Sequence, residues 1–412
     1  MELPTSHDFL RMSVEEFDTN KLLRHAAVQR DQRGFDKMLI VDVDAHHYET
    51  DHMGEIVDYI RDPVLRQLLK SARNVGRGGS SGRIANGYQD MGGRLTRYPG
   101  RKLEQTPKDG RHRDIHLSLR WMDAMGIDYI CMFPTPMLSL ALSPQPGMEN
   151  EMARAYNGWL CDKLLDSDSR IKSMLYLPFN DPEAAYKMVK EFGHRKGVIG
   201  FMVTTVRNAP ILSNPYMKIY KAIEELGVPI AFHSGFNWDD PMMSKSNRFI
   251  TVHALGFTWH NVHYCTNWIV NAMPEKFPKL KVIWIEGGLA WATWLSQRLD
   301  NEYRMRTSEC PGLKKLPSEY FKDMYYTAQP MERPDDMALL ESTFRTVNAE
   351  TQLLYASDYP HWDFDLPSTI YDLPFLTEKA RRNILGENAL RLFNLDISDR
   401  FPNYVPYAAA AE

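Results

Sequence analysis

Four stretches of this chain put metal-ligating side chains at the end of a short apolar run. Asp44-Ala45-His46-His47-Tyr48-Glu49 closes the run at 38–44, and His233-Ser234-Gly235 follows 228–232. Glu286-Gly287-Gly288 follows 280–285, and Ser357-Asp358-Tyr359-Pro360-His361 closes 352–356. Imidazole and carboxylate bind divalent ions and are also the usual general acids and bases. Asp44 and His46 are two apart, so on an extended strand both point to one side and can serve one ion. The other reading is an Asp that caps the next element and a surface His. The ring of His233, after an apolar run, needs a partner that a metal or a core hydrogen bond supplies. Asp358 suits a ligand or a general base, or else a turn ahead of Tyr359-Pro360. A buried Glu286 must be coordinated or paired, with Arg298 as the ion-pair alternative. Glu49 would bridge a second ion or hydrogen-bond His46. His361 would contact substrate or be held by Asp363. His253, His260 and His263 share one expected helix, and His260 is a further ligand candidate. The candidate metal set is therefore Asp44, His46, Glu49, His233, His260, Glu286 and Asp358, with Asp358 and His361 as catalytic groups.

The elements that must position these groups follow from the pattern. Apolar runs at 38–44, 127–133, 172–177, 198–203, 228–232, 280–285, 324–327 and 352–356 read as buried strands. Helical segments are expected at 149–166, 182–194, 215–226, 291–306 and 335–347, with Asn214 as a cap and Pro215 at a first helical position. Alternation of the two means βαβ units and a parallel sheet, and eight units mean an α/β fold of the (β/α)8 TIM-barrel type. That fold gathers side chains from strand C-termini at one end, which turns four weak signals into one site. Residues 1–36 read as an N-terminal arm, 37–396 as the barrel and 397–412 as a tail. A Gly/Arg-rich insertion at 73–100 falls between the first two strands and reads as a lid or a plain loop.

Other function classes are excluded. Lys and Arg number 49 against 53 Asp and Glu, a net charge of −4 with no electrostatic footprint for nucleic acid. The four cysteines lie far apart without a C-x-x-C pair, which argues against a thiolate zinc site or a disulfide framework and fits a reducing cytoplasm. No leader-like segment and no run of roughly 18 apolar residues is seen, so neither export nor a membrane span is expected.

Asp44-Ala45-His46, His233 and Ser357-Asp358-Tyr359-Pro360-His361 together resemble the amidohydrolase-related family of metal-dependent barrels. The stretch 277–282 with Ile285-Glu286-Gly287-Gly288 and 294–300 is similar to that family's sixth strand and helix, and Gln329-Pro330-Met331-Glu332 is similar too. The resemblance covers 39–393 and implies a barrel with histidines of strands 1 and 5 and an aspartate of strand 8 on the metal. There are two departures. Asp44 stands where the family's first motif has a histidine, and Glu286 stands where its decarboxylases usually have one. Oxygen-rich donor sets favour manganese or iron over zinc. The pattern resembles a small branch of the family with dinuclear sites that hydroxylate unactivated carbon. It thus implies two ions, Fe/Fe or Mn/Fe with zinc as the alternative. The implied activity is a monooxygenase taking dioxygen and a small or carboxylate-bearing substrate. A hydrolase or decarboxylase is the alternative, and a catalytically silent subunit the third reading. A homo-oligomer, or a hetero-oligomer with a paralogous subunit, is expected.

Overall fold

The computed structural model describes residues 19–74, 105–143, 145–205, 211–235, 240, 242–361 and 363–407. The expected lid at 73–100 lies, beyond its first two residues, outside the described residues. Eight strands form one sheet in chain order: β1 (Val41–His47), β2 (Tyr129–Pro134), β3 (Ile171–Tyr176), β4 (Val198–Thr204), β5 (Ile230–His233), β6 (Val282–Ile285), β7 (Tyr325–Thr327) and β8 (Leu353–Leu354). Each neighbouring pair is parallel. The seam between β8 and β1 is closed by single backbone bonds: Val43 N to Tyr355 O at 2.9 Å, Asp358 N to Asp44 O at 2.7 Å, and His46 N to Tyr359 O at 2.8 Å. The (β/α)8 barrel is thus a nearly closed ring.

The strands form because both of their faces are covered. Every residue of β1, β2, β5 and β6 is buried, and such strands must be near-continuous apolar runs. Helices α1 (Thr19–Arg33), α2 (Pro63–Asn74), α3 (Arg113–Met125), α4 (Pro146–Leu160), α5 (Pro182–Phe192), α6 (Met217–Leu226), α7 (Phe249–Val270), α8 (Ala290–Met305) and α9 (Met337–Thr346) surround or flank the ring. Asp181 caps α5 by accepting from Glu183 N and Ala184 N, and Pro182 takes the first helical position. Trp121, Trp159, Trp268 and Trp284 lie fully inside. Among the described residues, no helix is long and apolar enough to cross a membrane.

Two of the differences from the sequence-based expectation concern the site. Strand β1 runs on to His47, so Asp44 and His46 sit within it. Strand β8 has only two residues in the ladder, and the chain beyond it is held to β1 by the single bonds above.

Candidate metal centre

The centre is assembled from the ends of β1, β5, β6 and β8. His46 Nδ1 donates to Pro134 O at the end of β2 (3.1 Å), which leaves its Nε2 lone pair facing inward. That Nε2 lies 3.2 Å from Asp44 Oδ1 and 3.3 Å from Asp358 Oδ1. His233 Nδ1 donates to Ser234 O (2.9 Å), and its Nε2 lies 3.3 Å from the same Asp44 Oδ1. Glu286 Oε2 is 3.5 Å from His233 Nδ1. His361 Nδ1 is 2.7 Å from Asp358 Oδ1 and 3.9 Å from Glu286 Oε1. The His361 ring stacks on His46 at 4.2 Å between centroids. One ligand atom from each of Asp44, His46, His233 and Glu286 falls within 4.8 Å of the others, and so do atoms of His46, Asp358 and His361.

This donor set fits a divalent cation. Three carboxylates and two inward imidazole nitrogens are packed together in a buried volume, where like charges need a counter-ion. Asp44 Oδ2 and Asp358 Oδ2 are buried and accept no hydrogen bond, and His46 Nε2 makes none. Spacings of 3.2–3.3 Å are those of donors sharing one ion, since ligand bonds of about 2.0–2.2 Å put neighbouring donors roughly 3 Å apart. Both groups use His46, and one imidazole nitrogen binds one ion. Burial, then the charges of Glu286 and Asp44, push the Asp358 carboxyl well above the usual range. Burial would also raise Asp44, but the imidazoles of His233 and His46 outweigh it and hold that carboxyl below the usual range. Burial lowers the His46 imidazole.

The backbone is strained where two of these groups sit. Glu286 has φ 55° and Asp358 φ 59°, left-handed values that non-glycine residues adopt at a cost and that cluster at functional sites. Around Glu286 the strain is held by packing. Gly287 lies so close to Asn261 of α7 that a Cβ would collide with that side chain, and Asn261 Nδ2 donates to Ile285 O at 3.3 Å. Around Asp358 it is held by Asp42, whose carboxylate accepts from Ser357 N (2.9 Å), Ser357 Oγ (2.5 Å) and Asp44 N (3.1 Å).

Two expected ligands stand outside the cluster. Glu49 is fully buried, but its oxygens accept from Thr135 N (3.0 Å) and Met137 N (2.8 Å), so it ties the loop after β2 to the turn after β1. His260, on α7, is buried with an Nε2 that makes no hydrogen bond and belongs to neither ligand group. Arg298 pairs with Glu302 on its own helix, so it is not the partner of Glu286. The sequence reading missed Asp42, Thr135 and Phe133. Thr135 Oγ1 lies 3.1 Å from His361 Nε2, and the Phe133 ring edge meets His233 at 5.0 Å. The alternation that singled out Asp44 and His46 also marks Asp42, but no spacing rule marks Thr135.

Glu49→Gln is expected to leave bound metal unchanged and to lower stability by about 1–3 kcal/mol, because one amide now faces a backbone N–H that needs an acceptor. Burial pushes the Glu49 carboxyl up to about 8. Between an unfolded value of about 4.3 and that folded value, the native protein holds a proton the unfolded chain has lost. The stability Glu49 contributes is therefore full below that window and falls as pH rises through it. Urea midpoints at several pH values, with metal analysis, check both points; metal lost in Glu49→Gln would return Glu49 to the ligands.

Comparison with known proteins bears on the chemistry. The Amidohydrolase family model (Amidohydro_2) matches residues 41–395. A gamma-resorcylate decarboxylase from Polaromonas sp. is 25% identical over 297 residues, which span 68% of this chain and 86% of that protein. Its counterpart from Rhizobium sp. is 23% identical over 311 residues, spanning 70% and 90%. The solved 5-carboxyvanillate decarboxylase from Novosphingobium aromaticivorans, complexed with manganese and 4-hydroxy-3-methoxy-5-nitrobenzoic acid, superposes with a TM-score of 0.64 at 17% identity, over 88% of this chain and 97% of that one. A dihydroxybenzoic acid decarboxylase from Polaromonas sp. with bound manganese superposes with a TM-score of 0.58 at 19% identity, over 87% and 97%. These relatives overturn the monooxygenase expectation, because they are decarboxylases and not oxygen-dependent hydroxylases. The structure gives the physical reason that expectation failed. The expected second ion counted Glu49 and, as a further candidate, His260 among its donors; neither joins the cluster, and the two groups of remaining donors share His46. With its barrel, its strand-end donor set and a family match running from β1 to the last helical turn, the chain belongs to the amidohydrolase family.

Proposed function

We propose that this chain is a metal-dependent decarboxylase of a small aromatic carboxylic acid and that it works without dioxygen. The observation that carries the reading is that the curated relatives matched along 86% and 90% of their length are decarboxylases. The donor set supports one ion, manganese, held by Asp44, His46, His233, Glu286 and Asp358. Manganese suits an oxygen-rich set. When bound, the ion supplies positive charge that fixes the acid and stabilises negative charge developing on it.

Asp358 and His361 handle the proton. Burial and the neighbouring carboxylates raise the Asp358 carboxyl, the direction that a proton donor needs. His361 lies 2.7 Å from it, and its side chain is 10% exposed, so it links Asp358 to solvent. Thr135 Oγ1 at 3.1 Å orients the ring of His361. In the reaction the bond from ring carbon to carboxyl carbon breaks and carbon dioxide leaves. The electron pair stays on the ring carbon, and the Asp358 proton turns it into a C–H bond. His361 then returns a proton to Asp358.

The test is the full chain loaded with Mn2+ and offered a panel of hydroxybenzoates in air and under argon. Expected is carbon dioxide equal to the acid consumed, at the same rate in both gases. No carbon dioxide from any acid, or turnover that stops under argon, overturns the reading.

A further inference from the structure

We propose that a second cation site, suited to zinc, lies behind β1 and is formed by His52, His112 and Asp114 with Glu55 at its rim. His46 and His47 are adjacent on β1 and point to opposite faces. His46 serves the centre; His47 enters the layer between the barrel wall and helices α3 and α4. There His47 Nδ1 donates to Asp114 Oδ2 (2.8 Å) and its Nε2 meets Tyr156 OH (2.8 Å). That contact aims Asp114 Oδ1 at His52 Nε2, 3.0 Å away. His112 Nε2 lies 3.5 Å from Glu55 Oε2, and the rings of His52 and His112 are 4.5 Å apart. Ligand atoms of His52, His112 and Asp114 all fall within 4.8 Å of one another.

Three observations point to an ion. His52 is 8% exposed, and its Nε2 makes no hydrogen bond despite the carboxylate oxygen beside it. The spacings of 3.0 and 3.5 Å bracket the roughly 3.3 Å edge of a tetrahedron whose ligands stand about 2.0 Å from zinc. The donors are also held from behind, as a metal site requires. His47 fixes Asp114. Trp159 stacks under His47 and His52, and its Nε1 donates to Glu55 Oε2 at 2.9 Å. Two imidazoles with carboxylates are a zinc set rather than a magnesium or calcium one. Glu55, whose side chain is 47% exposed, gives the ion a way in. In the absence of the ion Asp114 N donates to His112 Nδ1 (3.2 Å); binding through Nε2 moves the ring proton to Nδ1 and gives up that bond. The ion would clamp the turn after β1 to the start of α3, so the site is structural and independent of the centre.

The full chain, stripped with a chelator, is titrated with Zn2+ and Co2+ and its bound metal counted. Wild type is expected to bind two ions. His52→Ala, His112→Ala and the closer isostere His112→Gln are expected to bind one, and Asp358→Ala to keep the ion at this second site. Zinc should raise the melting temperature of Asp358→Ala, and should raise that of the His112 variants by less than that of wild type, because only the centre is left to bind it. The visible band of four-coordinate Co2+ should vanish with His112 and survive in Asp358→Ala. One ion in wild type and none in His112→Gln supports this site even if the centre binds nothing. An ion count and a zinc-dependent melting shift unchanged in both His112 variants overturn the site. A melting temperature that falls as pH rises through the imidazole range, is unmoved by zinc and loses its slope in His52→Ala also overturns it; the cluster is then a protonated imidazole–carboxylate pair.

Discussion

Asp358→Ala is expected to lower turnover by about 10³–10⁴-fold, the upper range for loss of a positioned general acid, while the chain stays folded. Two consequences of one residue combine here. Asp358 Oδ1 is 3.3 Å from His46 Nε2 and 2.7 Å from His361 Nδ1, so it stands between the donor cluster and the proton path. Removing it takes away an oxygen ligand and the proton donor together, so bound manganese falls with the rate. Asp358→Asn separates the two, because an amide oxygen can still face a cation but the amide carries no acidic proton. Its metal content should recover most of the wild-type value while turnover stays low. Catalysis and metal analysis on the two variants, with circular dichroism for the fold, check this. Wild-type turnover in Asp358→Asn would remove Asp358 from the proton path.

Asp42→Ala should cost about 3–5 kcal/mol of stability, because three buried donors lose their one acceptor group. The Asp42 carboxylate takes three donors, Ser357 N, Ser357 Oγ and Asp44 N, from both sides of the β1–β8 seam. Alanine leaves all three buried without an acceptor, and each such loss costs about 1–3 kcal/mol. The seam has only single backbone bonds elsewhere, and Asp358 beyond it sits at a strained φ of 59°. Loosening the seam should therefore weaken metal binding as well. Asp42→Asn keeps one acceptor and should lose less. Urea unfolding at constant slope measures both; midpoints within error of wild type for both would show that the seam does not depend on this clamp.

The barrel was legible in the sequence for a simple reason. Strands buried on both faces must be apolar, and short apolar runs separated by helix-length segments leave few other architectures. That Asp44, His46, His233, Glu286 and Asp358 come together was legible as well, because a barrel gathers the side chains at its strand C-termini at one end. What Glu49 and His260 do was not legible. A carboxylate serves a cation or two backbone N–H groups equally well, and only the loop after β2, folded against the turn after β1, gives Glu49 its two amides. The carboxylate-rich pattern suggested two ions and oxygen chemistry, but donor type does not set the number of ions. That depends on whether the donors converge on one point or two, a distance that only the closed ring defines. Likewise His47, His52, His112 and Asp114 carry no common spacing in the chain; packing of α3 and α4 against the back of β1 is what brings them within bonding reach.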